Sequence, residues 1–194
     1  MTKSDLMRQI RDEVLNLTQS PLYEYRQANK YFPVIGEGSH DAKIVFIGEA
    51  PGKNEAETGR PFCGASGKIL DNLLAGINLQ RSEVYITNIV KDRPEDNRDP
   101  LPAEIDLYGP FLDRQLEIIK PKVVVTLGRL SLGYLLAKFN RPELRQTIGN
   151  LHGVAIPLTP DLVLVPLYHP AASIYNQKLK ETLIKDFEVL KRFI

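Results

Sequence analysis

The chain has 194 residues, 43% of them hydrophobic, which is the size of one ordinary domain able to bury a core without staples. Twenty-five basic and 24 acidic residues leave a formal net charge of +1, so any contact with nucleic acid has to come from a local basic surface. A single cysteine, Cys63, excludes an internal disulfide and any site built from several thiolates of one chain. The N-terminal stretch MTKSDLMRQIRDEVLNL spreads its charges and lacks the apolar core of a signal peptide, and no later segment reaches membrane-spanning length. A cytoplasmic protein is expected, without membrane contact.

In chain order, Ser4 is expected to cap a helix whose apolar positions Leu6, Ile10, Val14, Leu15 and Leu17 fall near helical spacing, before Pro21 and the tyrosines Tyr23, Tyr25 and Tyr31 break the pattern. Residues Lys43 to Gly48 are short, apolar and β-branched, and read as a buried strand feeding a loop. From Ser66 the residues Ile69, Leu70, Leu73, Leu74 and Ile77 form a helical stripe, and Val84 to Val90 read as a second strand. Residues 91 to 102 are too rich in proline and charge for a regular element. A helix over Glu104 to Ile119, a strand over Val123 to Leu127 and a helix opened by Gly128 follow. Val154 to Leu158 and Leu162 to Leu167 read as a strand pair, and a helix from about Lys178 to Phe193 closes the chain. This alternation argues for an α/β fold over residues 1 to 194, in which a mostly parallel sheet is covered on both faces. Ligands of such sheets sit beyond the carboxyl ends of the strands, where Gly48-Glu49, Asn88 and His169 would converge.

The loop after the first strand packs five glycines and two prolines into residues 48 to 67. Glycines let the backbone approach a ligand, and a helix starting near Ser66 would offer its N–H groups to an anion such as phosphate; the rival reading is a tight structural crossover. Neither the dinucleotide fingerprint nor the phosphate loop of nucleotide hydrolases is present.

Four segments, GEAPGKNEAETGRPFCGASGKIL (48 to 70), TNIVKDRPEDNRDPLP (87 to 102), VVTLGRLS (124 to 131) and HPAA (169 to 172), resemble in order and spacing the motifs of the family 4 uracil-DNA glycosylases, over about residues 35 to 176. The resemblance implies a three-layer α/β/α sandwich and excision of uracil from DNA, with an abasic site and free uracil as products. It implies that Gly48, Glu49 and Ala50 line the uracil pocket, that Phe62 stacks on the flipped base, that Asn88 reads its amide edge and that His169 faces it from the opposite loop. The residue chemistry agrees: a side-chain amide can donate to O4 and accept from N3–H of uracil, Phe62 offers a flat apolar face, and His169 can donate a hydrogen bond to the departing uracil anion. Glu49 can orient water or place charge near the sugar cation, or merely hold the loop. In the best-known branch of these enzymes an aspartate stands where this chain has Ala50. To fill the gap left by the flipped base the chain has Ile174 or Tyr175, with Lys178 for a phosphate, and Lys91, Arg93, Arg98, Arg60 and Lys68 are candidates for the basic surface; Ile174 can equally begin the packing face of the last helix.

The family carries four cysteines that hold an iron–sulfur cluster, and none of them is here. The resemblance puts the first pair near Leu22 and Tyr25 and the other two at Asp92 and Tyr108. Thiolate ligation is excluded on count, so no cofactor is expected, and Leu22, Tyr23, Tyr25 and Tyr108 are expected to pack where the cluster would sit. Cys63 is read as a small buried side chain beside the pocket. A monomeric glycosylase acting on uracil-containing DNA is the expectation. Its rivals are a catalytically weak protein that binds DNA or nucleobases, and a glycosylase for another deaminated base such as hypoxanthine. Residues Leu144 to His152 lack the basic, His-containing cluster of the branch that bonds covalently to its product, so trapping is not expected.

Overall fold

The computed structural model describes residues 1–141 and 147–194. Leu144 therefore lies outside the described residues, as do its neighbours 142, 143, 145 and 146. Helix α1 (Lys3–Leu15) is capped by Thr2, whose hydroxyl accepts from the Asp5 amide while the Asp5 carboxylate returns to the Thr2 amide. That reciprocal box contributes about 1 kcal/mol and places the helix start before the expected Ser4. The tyrosine-rich stretch forms a short helix, α2 (Tyr23–Ala28), too brief to carry a periodic signal.

The six-stranded sheet of the described residues runs β1 (Glu37–Gly38), β3 (Tyr85–Asn88), β2 (Ile44–Gly48), β4 (Val123–Leu127), β6 (Leu162–Leu167), β5 (Ile156–Thr159). The four central strands are parallel, while β1 and β5 add to the edges antiparallel. Strands β2, β3 and β4 are buried along their whole length and β6 over its last four residues, which is why their sequences run apolar without alternation. Alternation reappears in the core: Val45, Ile47, Tyr85, Val124 and Leu164 pack with α1 and α5 (Pro102–Ile119), whereas Ile44, Phe46, Ile86, Val125 and Val165 pack with α4 (Ala65–Gly76) and α8 (Gln177–Phe187). The result is the expected three-layer sandwich.

Between β2 and α4 lies α3 (Lys53–Thr58), a helix of six residues hidden from periodicity by its polar composition. Helix α6 (Arg129–Lys138) follows β4 directly, and α7 (Ile148–Leu151) precedes β5. From β2 the chain steps to β3 on one side and then returns to β4 on the other. That reversal opens a crevice at the carboxyl ends of the strands.

Candidate active site

At that crevice lies a cavity of about 360 Å³ lined by residues that include Glu49, Ala50, Phe62, Asn88 and His169. Strands β2, β3 and β6 thus deliver the three expected segments to one rim. Gly48, expected to line the pocket, lies behind its lining residues: a β-carbon there would stand 2.3 Å from Asn88 Oδ1 and 2.7 Å from Phe62 Cζ. Asn88 is 2% exposed, and its Oδ1 is buried with no hydrogen-bond partner. An orphaned buried acceptor is rare in a native fold, and one beside a cavity waits for a ligand N–H.

Phe62 sits in the left-handed region at φ 47°, a strained conformation for an aromatic residue, and its ring stacks on His169 with centroids 5.7 Å apart. What holds it there is close approach: a β-carbon on Gly67 would lie 1.7 Å from the Phe62 carbonyl oxygen. Glu55 completes the turn, its Oε1 accepting from the amides of Cys63 and Gly64 at 2.9 Å each. Those two amides lie just before the first turn of α4, so a carboxylate already stands beside the helix start that was expected to face an external anion. Glu55 is the residue sequence reading passed over, and its one signal was an acid set between glycines in that loop.

His169 caps the short turn Pro170–Ser173, its Nδ1 accepting from the Ala171 amide at 3.2 Å. That contact places the ring proton on Nε2, and burial lowers the imidazole pKa, so the neutral form with a donating Nε2–H is favoured. Glu49 accepts from the Leu130 amide at 2.9 Å in the first turn of α6. Burial raises its pKa more than that hydrogen bond lowers it. Gly128, at φ 108°, leaves room for this carboxylate, since a β-carbon there would meet Glu49 Oε1 at 2.5 Å. The site combines an unpaired acceptor, an aromatic plate, a neutral imidazole donor and a destabilised carboxylate. Together they can bind a planar heterocycle and stabilise charge as a bond to it breaks.

The expected basic surface needs correction. Lys91 has no exposed surface, and Arg93 is 9% exposed, with Nη1 donating to the hydroxyls of Tyr25 and Tyr31 and Nε to Asn97. Both are used inside the fold. Arg60 pairs with Glu37 and Arg98 with the buried Glu104. Lys68 and Lys178 are exposed, as are Ile174 at 40% and Tyr175 at 99%. Ile174 therefore does not begin a packed helix face. Cys63 is half-buried beside Thr58 rather than fully enclosed.

Around Asp92 and Tyr108, two of the positions at which the resemblance puts cluster ligands, the chemistry is wrong for a cluster. Asp92 takes Arg26 Nη1 at 3.1 and 3.2 Å and the Tyr108 hydroxyl at 2.5 Å, and that hydroxyl meets Ser20 Oγ at 2.7 Å. Arg26 also donates to the Val14 and Leu15 carbonyls at the end of α1, with the Tyr23 ring 5.0 Å from its guanidinium carbon. A fixed cation stands where soft thiolates would be needed, so these residues do not fit an iron–sulfur cluster. Leu22 and Tyr108 are buried as expected, but the filling is a buried ion pair rather than an apolar plug. Burial raises the Asp92 pKa against the opposing pull of Tyr108 and Arg26.

Residues 35–191 match the model of the uracil DNA glycosylase superfamily. The type-4 uracil-DNA glycosylase of Sulfurisphaera tokodaii is 41% identical over 191 residues, covering 96% of this chain and 84% of the relative. Those of Saccharolobus solfataricus, 41% over 186 residues (94% and 83%), and Archaeoglobus fulgidus, 40% over 180 residues (91% and 87%), are similar to a like extent. With the fold, the cavity and these matches in agreement, the chain belongs to the uracil-DNA glycosylase superfamily, and its relatives include the type-4 enzymes.

Proposed function

We propose that this protein is a uracil-DNA glycosylase that captures a flipped uracil and hydrolyses its N-glycosidic bond, leaving an abasic site for base excision repair. The observation that carries the reading is the unpartnered Oδ1 of Asn88 on the cavity floor. Uracil presents an N3–H donor at the edge where cytosine presents an acceptor, so this oxygen gains its missing partner from one base and meets repulsion from the other. Phe62 then stacks on the base, Gly48 lets Asn88 and Phe62 close upon the site, and Ala50 leaves the base room. His169, a neutral donor through Nε2, stabilises the negative charge that gathers on the leaving uracil. Glu49 supplies negative charge beside the sugar as it becomes cationic, and orients the attacking water. In the exposed stretch that follows His169, Tyr175 and Ile174 are suited to fill the space left in the duplex, and Lys178 to meet a phosphate. The chain acts as a monomer in the cytoplasm.

The test is an end-labelled oligonucleotide bearing one deoxyuridine, single-stranded or paired with guanine or adenine, incubated with the protein and then cleaved by alkali. Strand breakage at uracil, lost in Asn88→Ala and His169→Ala, is the expected outcome. A protein that leaves uracil untouched in every context while remaining folded contradicts the reading.

A further inference from the structure

Lys91 donates from one fully buried ammonium to three oxygens: Thr87 Oγ1 at 2.8 Å, the main-chain carbonyl of Asn88 at 2.6 Å and Gln115 Oε1 at 2.6 Å. None of the three is a carboxylate. Gln115, on α5, is locked from its other end, its Nε2 donating to the Ile35 carbonyl at 2.9 Å and the Tyr85 hydroxyl at 3.1 Å. Thr87 Oγ1 donates to the same Ile35 carbonyl at 2.7 Å, and the Val34 amide donates to the Lys91 carbonyl at 2.7 Å. The groups that face the ammonium thus come from β3 and α5, with the segment before β1 holding Thr87 and Gln115 in place, and every one is neutral. A buried cation with no counter-ion is a costly way to fill space that methionine or leucine would fill without charge.

The contact that reaches the active site is the carbonyl of Asn88. We propose that Lys91 is a positioning residue, whose ammonium grips the main chain of Asn88 and so fixes the height at which the Asn88 amide meets the base. This rests on the glycosylase reading above. All three ammonium protons are in use, so a neutral amine would have two protons for three acceptors and would turn its lone pair toward an oxygen. Base capture then loosens once the proton is lost. Burial alone brings the Lys91 pKa down to about 7, which places that loss in the physiological range.

The sign separates this role from a merely structural one. With the folded pKa below the unfolded value, this group makes the fold more stable as pH rises above 7, whereas base capture weakens over the same range. The measurement is kcat and KM on a single-stranded uracil oligonucleotide between pH 6 and 9.5, for the natural protein, Lys91→Met and Gln115→Glu. The natural protein is expected to show a KM that rises about tenfold across neutrality with kcat little changed. Lys91→Met should have a raised KM at every pH and no inflection. Gln115→Glu sets a carboxylate against the ammonium and should move the inflection upward by more than about one pH unit, which needs no loss of the lysine. A flat KM in the natural protein overturns the inference, as does an inflection that stays in place in Gln115→Glu or persists in Lys91→Met. Absence of uracil excision at every pH overturns the glycosylase reading, and this inference with it.

Discussion

Asn88 Oδ1 occupies the space that a side chain on Gly48 would need, 2.3 Å from where its β-carbon would stand. The glycine at the end of β2 is therefore what allows both the reading amide and the Phe62 ring to close on the end of the sheet. Gly48→Ala is expected to displace Asn88 and Phe62 together and to lower kcat/KM on uracil DNA by about 100-fold or more. Thermal unfolding should change far less, since both displaced side chains border a cavity; equal loss of activity and of fold would count against this account.

Glu49 carries a conflict between stability and chemistry. Its folded pKa lies above the ordinary carboxylate value, so its charge weakens the fold at neutral pH, and that loss fades as pH falls toward 4.5. Glu49→Gln keeps an oxygen for the Leu130 amide and removes the buried charge. The variant is expected to unfold at a higher temperature than the natural protein at pH 7, with the difference closing near pH 4.5, while kcat falls by about 10²- to 10⁴-fold. Full activity in a stabilised variant would remove Glu49 from the chemistry.

Tyr175, 99% exposed, makes no packing contribution that its removal would cost. Tyr175→Ala should leave unfolding unchanged and should slow excision from duplex DNA several-fold more than from single strands, where no gap has to be filled. Equal rates on the two substrates would assign the wedge to Ile174 or to neither.

The Arg26–Asp92 pair is the sharpest stability test. Both side chains are at least 97% buried, so removing one leaves the other's charge buried without a counter-ion. Asp92→Ala is expected to cost about 3–5 kcal/mol in urea unfolding. Arg26→Met combined with Asp92→Leu, which removes both charges, should cost less than Asp92→Ala alone. The reverse order would mean that the pair is worth more than its desolvation.

The four central strands were legible because they are buried on both sides, and the convergence of Glu49, Asn88 and His169 followed from their places at strand ends. Part of what sequence reading missed has one physical cause: partners distant in the chain. Lys91, Asp92 and Arg93 stand in a proline-rich, charged stretch that looks solvated, yet each is buried by a partner from elsewhere, Gln115 for the first, Arg26 for the second, Tyr25 and Tyr31 for the third. Short helices such as α2 and α3 offer too few turns for periodicity to register. Glu55 looked like a solvated acid because its hydrogen bonds depend on how the loop folds back upon it.

The buried knot of Ser20, Arg26, Asp92 and Tyr108 draws its parts from the polypeptide alone. Joining the N-terminal helices to the loop behind Asn88 therefore asks nothing of a cell's iron supply or of the machinery that builds clusters, and a shortage of iron or a burst of oxidant has no sulfur ligand there to strip. Chain unfolded in urea and refolded in air with a chelator present should recover its native N-terminal region from sequence information alone.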